Sequence, residues 1–372
     1  MLPILLALLL RMLVRREKPT VAALPHLQMR SPRKPVNLAL QGGGAHGAFT
    51  WGVLDQLIMD GRIEVDGISG TSAGAVNAVM LADGLNRGGP EEARKRLADF
   101  WRAVSVDGHL PDLQRAVAER LFPFVSTEGL WLSAISRFLS PYDLNPLNIN
   151  PLKELIERFV DFDAIRSQPG PDLFISATNV SNGEIRIFTR TELTAEAVMA
   201  SACLPLLFRA VEIDGVSYWD GGYSGNPALI PFLRTTQTED ALIVQINPRE
   251  RHKTPTRTRA ILSRINEINF NASLLSELRA VAFVNRLIDE GWLPRGMKEG
   301  EFRRLKLHRI AMEELGEAPA APGTLNTGYQ SFEKLHKLGQ RATRRFLDSH
   351  FDDIGRRSTI DAAAQALPEL VA

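Results

Sequence analysis

The segment Gly70-Thr71-Ser72-Ala73-Gly74 constrains this chain more than any other feature. Ile63, Val65 and Ile68, just before it, have the spacing of a strand, and the small-residue run Ala75 to Ala82, just after it, reads as a helix. A serine with glycine two residues away on either side, at a strand-to-helix turn, is a nucleophile elbow. Gly70 and Gly74 have a steric task there, because a Cβ at either would meet the neighbouring strand or the incoming helix. Ser72 Oγ is then left exposed at the end of a sheet, with the Ala73 N–H directed at the space beside it.

One strand and one helix upstream lies a second glycine turn. Val36, Leu38, Ala39 and Leu40 form a short apolar run bounded by Pro35 and Gly42, which reads as a buried strand. Gly42, Gly43, Gly44 and Gly47 follow, and Ala48 to Met59 continues as a helix that Asp60-Gly61 stops. Backbone N–H groups converge at such a helix start, which suits an anion. A serine nucleophile needs donors for a developing oxyanion, and the N–H groups around Gly43, Gly44 and Ala73 supply candidates.

The rest of the chain reads as support for these two turns. Gly88-Gly89-Pro90 breaks the elbow helix, and Glu91 to Val104 is amphipathic with Leu97, Phe100, Trp101 and Val104 on one face. Pro111 to Val160 is rich in Leu, Phe, Trp and Pro, with helical segments Leu113 to Leu121 and Gly129 to Leu139; it looks like a helical cap, although most such apolar helices pack simply as core. Leu173 to Thr178 and Glu184 to Thr189 form a hairpin across Ser181-Asn182-Gly183, and Val211 to Ile213 pairs with Val216 to Tyr218 across Asp214-Gly215. That second hairpin delivers Asp220-Gly221-Gly222, a carboxylate followed by two flexible residues. Ala241 to Ile246 is a further buried strand, Arg257 to Ile288 a long helix, and Phe302 to Ile310 alternates in part. After the Ala/Pro linker Ala318 to Gly323, a last helix runs from Ser331 to Phe346, in a tail expected to be peripheral. Residues 1–35, 36–248 and 249–372 thus read as an apolar start with a basic, Pro-containing linker, a catalytic domain, and a mainly helical extension.

Composition narrows the classes. With 44 Lys+Arg against 43 Asp+Glu, the net charge of +1 provides no global field for nucleic acid. The single cysteine, Cys203, rules out an intrachain disulfide, and no His cluster of metal-binding type stands out, so neither a metal nor a cofactor is expected. Met1 to Leu10 is unbroken apolar sequence with Arg11, Arg15, Arg16 and Lys18 behind it, the reverse of a secretory signal. As a helix it spans about 15 Å, too short to cross a bilayer. The expectation is a cytoplasmic protein whose apolar start either inserts partway into a membrane, placing the protein peripherally on it, or is a disordered or misassigned start.

With the glycine loop, the elbow and the late Asp220-Gly221-Gly222 taken together, the chain from about Val36 to Pro248 resembles the patatin-like phospholipases. Ala200-Ser201 to Pro205 and Phe208 also resemble that family's helix-to-strand block, whereas Gln41 departs from the residue many relatives carry before the glycines. The resemblance implies a three-layer α/β/α fold with a central, mainly parallel sheet, here extended by C-terminal helices. It implies Ser72 as nucleophile, Asp220 as base and Gly42, Gly43 and Gly44 as oxyanion hole, and it implies lipid acyl esters as substrates of a phospholipase A or lysophospholipase type.

Two other readings set different expectations. A Ser72-Asp220-His252 triad has the residue order of an α/β-hydrolase, but that fold needs more strands between its oxyanion loop and its elbow than Gly44 to Ser72 can hold. His252 also lies in the basic loop Arg249-Glu250-Arg251-His252-Lys253. A dinucleotide-binding module would use Gly42-x-Gly44-x-x-Gly47 with Glu64 on a ribose, although Glu64 starts its strand instead of ending it. His46, inside the glycine loop, reads as a structural residue of the first helical turn.

Overall fold

The computed structural model describes residues 33–105, 140–145, 148, 150–205, 207–251, 253–296, 298, 301–312 and 328–361. The N-terminal segment Met1 to Lys18, the cap helices expected at 113–121 and 129–139, His252 and the 318–323 linker lie outside the described residues. Lys34–Ala372 forms one compact unit.

The apolar run before the first glycine turn is strand β1 (Lys34–Leu40), and the run before the elbow is β2 (Ile63–Gly70). Between them helix α1 (Gly47–Asp60) ends where Gly61 turns left-handed at φ 71° and its N–H bonds back to Leu57. After the elbow come α2 (Ala73–Gly88) and α3 (Pro90–Val104), which opens on a proline suited to a first helical turn. Short helices α4 (Pro151–Phe159) and α5 (Phe162–Ser167) lead to β3 (Asp172–Asn179) and β4 (Ile185–Thr189). Helix α6 (Ala195–Ser201), the hairpin β5 (Val211–Ile213) and β6 (Val216–Asp220), and β7 (Asp240–Gln245) follow. The chain closes with α7 (Thr258–Asp289), β8 (Lys306–Ala311) and α8 (Tyr329–His350).

The sheet runs β5-β6-β3-β2-β1-β7-β8, with β4 also on β3. The β3–β2, β2–β1, β1–β7 and β7–β8 pairings are parallel, so the centre of the sheet must be covered on both faces. Alternation along β1 does this. Val36, Leu38 and Leu40 pack into the larger core with α1, α2, α3 and α8, while Ala39 joins Ile243, Phe232 and the α7 residues Leu274, Leu278 and Val281 on the opposite face. The result is a three-layer α/β/α architecture with a mainly helical C-terminal region.

That C-terminal region is not peripheral. Strand β8 extends the sheet in parallel beside β7, from Asp240 opposite Lys306 to Gln245 opposite Ala311. Helix α8 lies against α1 so closely that a Cβ on Gly339 would stand 2.2 Å from the Phe49 carbonyl oxygen. Phe332, Leu335, Leu338 and Phe346 all enter the main core. Their i, i+3 spacing is visible in the sequence, but which surface they cover is set by α1, nearly 300 residues away, and no local pattern encodes that.

Candidate active site

The sheet brings the two candidate catalytic residues together by strand register. Strand β4 pairs with Phe174 to Thr178 on one edge of β3, which leaves the other edge to β2 and β6. Strand β2 runs parallel to β3 and ends with Gly70 opposite Ile175; β6 runs antiparallel and ends with Asp220 opposite Ala177. The two strands therefore meet end to end, about 7 Å apart along β3 at ~3.3 Å per residue. Ser72 lies just past one end, and Asp220 is the other.

The elbow has the strain its glycines suggest. Ser72 sits at φ 54°, ψ −121°, a conformation rare for a residue with a side chain and one the surroundings must hold. A Cβ on Gly74 would lie 2.1 Å from the Leu40 carbonyl oxygen, and one on Gly70 would lie 2.7 Å from the Gly74 carbonyl oxygen. The Ser72 N–H donates to buried Ser201 Oγ at 2.9 Å, and Thr71 Oγ1 donates to the Gly225 carbonyl at 2.8 Å. The hydroxyl thus stands at the N-terminus of the 16-residue helix α2, where the helix dipole favours negative charge.

Asp220 is fully buried. Its N–H donates to the Cys203 carbonyl, its carbonyl accepts from Thr178 Oγ1, and Oδ1 accepts from the Gly222 N–H, all at 2.8 Å. Gly221 has no room for a side chain, since a Cβ would lie 2.1 Å from the Ser176 carbonyl oxygen, and a Cβ on Gly222 would meet the Phe270 ring at 2.5 Å. Burial lifts the carboxyl from its ordinary 3.8 to about 7, against the lowering effects of the Gly222 N–H and the Ser72 hydroxyl. Oδ2 nonetheless has no partner in full hydrogen-bond geometry. The Ser72 hydroxyl is close enough to lower the carboxyl's proton affinity, yet no hydrogen bond in full geometry joins the two side chains.

The glycine loop supplies donors, with one change from expectation. The Gly42 N–H, placed in the oxyanion hole by resemblance, donates instead to Asn226 Oδ1 at 2.6 Å, while Asn247 Nδ2 donates to the Gly42 carbonyl at 2.7 Å. Gly42 therefore anchors the loop, and close packing explains it: a Cβ there would lie 2.8 Å from Ser72 Cβ. The buried Gln41 Oε1 accepts from the Ile246 and Asn247 N–H groups, both at 2.9 Å. Among the described residues no acceptor takes the N–H of Gly43, Gly44 or Ala73. Gly44 adopts φ 56°, in the left-handed region, and lines the same pocket as Ser72. Gly47 passes close to Ala73, at 2.7 Å from a would-be Cβ.

Ser72, Ala73, Gly43 and Gly44 open on a pocket of about 170 Å3. Its walls are largely apolar, with Val76, Phe100, Trp101, Val104, Phe208 and Phe270. His46 also lines it; burial holds its imidazole down to about 4, so it is neutral at ordinary pH and a weak base. Cys203 is a buried thiol pushed up to about 12 by desolvation and by Asp220, and is inert as a nucleophile. Glu64 pairs opposite Pro35, at the far end of β1 from the glycine loop, so it cannot reach a ligand held there. Among the described residues no His/Cys/Asp/Glu group is arranged to hold a metal.

Of the anchors Ser201, Asn226, Asn247 and Phe270, only Ser201 lies in a block that the resemblance marks, and none is marked in the sequence as a site residue. The Gly225-Asn226-Pro227 turn shortly after Asp220 hints at a second of them.

The sequence pattern of the patatin-like phospholipases matches residues 38–233. No curated protein matches the chain. Among solved structures, VipD from Legionella pneumophila is similar at 14% identity over 86% of this chain and 68% of its own, with a TM-score of 0.38. Human GIVD cytosolic phospholipase A2, solved with methyl gamma-linolenyl fluorophosphonate, is similar at 11% identity over 87% of this chain and 58% of its own, TM-score 0.38. Full-length ExoU with SpcU, from the Pseudomonas aeruginosa type III secretion system, is similar at 14% identity over 85% and 53%, TM-score 0.31. The chain thus spans little more than half the length of the last two.

Proposed function

The chain belongs to the patatin-like phospholipase family, and from that premise we propose that it hydrolyses lipid acyl esters with a Ser72–Asp220 dyad. Asp220 takes the Ser72 proton as Oγ attacks the ester carbonyl. The N–H groups of Gly43, Gly44 and Ala73, helped by the α2 dipole, receive the oxyanion, each donor contributing about 3 kcal/mol to lowering the barrier. Collapse of the tetrahedral species expels the alcohol, which takes the proton from Asp220, and leaves an acyl-Ser72. Water deprotonated by the same aspartate then attacks the acyl carbon; the second tetrahedral species breaks its bond to Oγ, Oγ takes the proton back from Asp220, and the fatty acid leaves. The apolar pocket beside Ser72 accommodates the acyl chain and keeps water away from the oxyanion.

One observation carries this reading: a buried carboxyl with a proton affinity near neutrality, and an oxygen without a partner, stands at the strand end facing the elbow. A base poised near pH 7 is matched to its task, whereas a surface aspartate would be too weak. The dyad needs neither metal nor cofactor. Met1 to Leu10 with Arg11, Arg15 and Arg16 fits peripheral insertion into an anionic surface, and among the described residues no helix is long and apolar enough to cross a membrane. The test is labelling with a fluorophosphonate followed by peptide mapping. A single adduct on Ser72, absent from Ser72→Ala, is expected; labelling that persists in Ser72→Ala overturns the assignment.

A further inference from the structure

A second cavity, of about 270 Å3, adjoins the acyl pocket and has no part in the chemistry above. Arg251, Lys253, Arg257 and Arg264 line it, and Glu267 is the one carboxylate among them. Glu267 is buried at 5% exposure and pairs with Arg251 at 2.6 Å and Arg264 at 3.2 Å. Arg264 is further fixed by the carbonyls of Pro248 at 3.2 Å and Arg249 at 2.8 Å. One buried carboxylate therefore orders two guanidinium groups and leaves the cavity strongly positive. Among the described residues no carboxylate pairs with Lys253 or Arg257, which stand exposed at its mouth.

The two cavities share Ser263 and Glu267 as walls. Helix α7 sets their order: Phe270 packs on Gly222 next to the dyad, and Arg264 and Arg257 follow toward the helix start. From Phe270 to Arg264 is about 9 Å along the axis at ~1.5 Å per residue. A molecule with its ester beside Phe270 would therefore present to Arg264 a group it carries roughly 10 Å away; the Arg257 backbone lies about 20 Å from Phe270 along the axis, and its side chain reaches back to line the same cavity. Guanidinium groups held in place match phosphate oxygens in geometry and charge, and a quaternary ammonium in the same cavity would be repelled. On the acyl-hydrolase reading, we infer that this cavity is a subsite for the phosphate of an anionic lipid head group and selects such lipids over zwitterionic ones.

Lys253→Ala/Arg257→Ala, two exposed positions whose loss should not disturb folding, tests this with monomeric lipids below their micelle concentration, where no membrane surface exists. Wild type should cleave dihexanoyl-phosphatidylglycerol with a kcat/KM at least tenfold above that for dihexanoyl-phosphatidylcholine, mainly through KM. The double variant should lose roughly tenfold on the anionic lipid alone, as expected when charge-assisted hydrogen bonds are removed. p-Nitrophenyl butyrate should be cleaved equally by both proteins. Equal losses on both lipids, no loss on either, or a preference that appears only on vesicles overturns the subsite. Inhibition by inorganic phosphate without lipid selectivity would mean a free-anion site and overturns it as well. Binding of dihexanoyl-phosphatidylglycerol to Ser72→Ala, with and without the two substitutions, reads the subsite without turnover: weaker binding in the substituted protein supports it and equal binding refutes it. If wild type fails on p-nitrophenyl butyrate, the hydrolase reading fails separately, and this binding measurement still decides the subsite.

Discussion

Replacing Asp220 by Asn should abolish activity and, above neutrality, make the protein more stable. The carboxyl is raised by burial from 3.8 to about 7. Below pH ~4 it is protonated whether the chain is folded or not, and it has no effect on stability. Between about 4 and 7 the folded state keeps a proton that the unfolded state has lost, so stability falls as pH rises; above about 7 the deficit is constant. At ~1.4 kcal/mol per tenfold in proton affinity, that deficit is about 4 kcal/mol. Asparagine cannot ionise and escapes it. In urea titrations Asp220→Asn should match wild type near pH 4 and exceed it by one to several kcal/mol, on the order of the figure above, at pH 8. The same displacement sets catalysis: kcat/KM of wild type should climb through an apparent pKa near 7, with pH 5 roughly a hundredfold below the plateau. A limb near pH 4, or an Asn variant less stable than wild type at pH 8, would refute the argument that Asp220 is held as a desolvated base.

Other substitutions test the parts around the dyad. Asn226→Ala leaves the Gly42 N–H buried and unpaired; a stability loss of about 1–3 kcal/mol and a fall in kcat of tenfold or more are expected, and an unchanged kcat would show that the anchor is irrelevant to the oxyanion loop. Gly44→Val forces a β-branched residue to φ 56°, so kcat should fall roughly a hundredfold while the circular dichroism spectrum stays native; full turnover would remove Gly44 from the hole. Deleting residues 1–18 should leave p-nitrophenyl butyrate hydrolysis unchanged and weaken sedimentation with anionic vesicles, whereas equal sedimentation would exclude a membrane role for that segment.

The two glycine turns, the strands leading into them and both hairpins are legible in the sequence because their causes are local. Gly61 stops α1, Asp214-Gly215 turns left-handed at φ 52° and 76°, and Gly70 is dictated by a clash with Gly74 four residues on, whereas Gly74 answers to the Leu40 carbonyl on β1 and is legible only through the motif it completes. Asp220 could be proposed as the base only by resemblance, because its approach to Ser72 depends on β2 and β6 meeting on one edge of β3, a matter of register between distant segments. For the same reason the anchoring roles of Asn226, Asn247 and Ser201 cannot be read from the sequence, although Ser201 lies in a block that resembles the family's and Asn226 in a Gly-Asn-Pro turn: each is an ordinary polar residue until folding buries it against the loop or the elbow. The tail was misjudged because α8 shows an apolar face without showing that α1 is what it covers.

The central claim is that two residues perform the proton transfer and the attack without a histidine. Short-chain ester hydrolysis by Ser72→Ala, Asp220→Asn and His252→Ala tests it directly. The first two should each lose several orders of magnitude in kcat, the Ser72→Ala/Asp220→Asn double variant should lose little more than either, and His252→Ala should stay within a few-fold of wild type. A His252→Ala enzyme as inactive as Ser72→Ala would contradict the dyad.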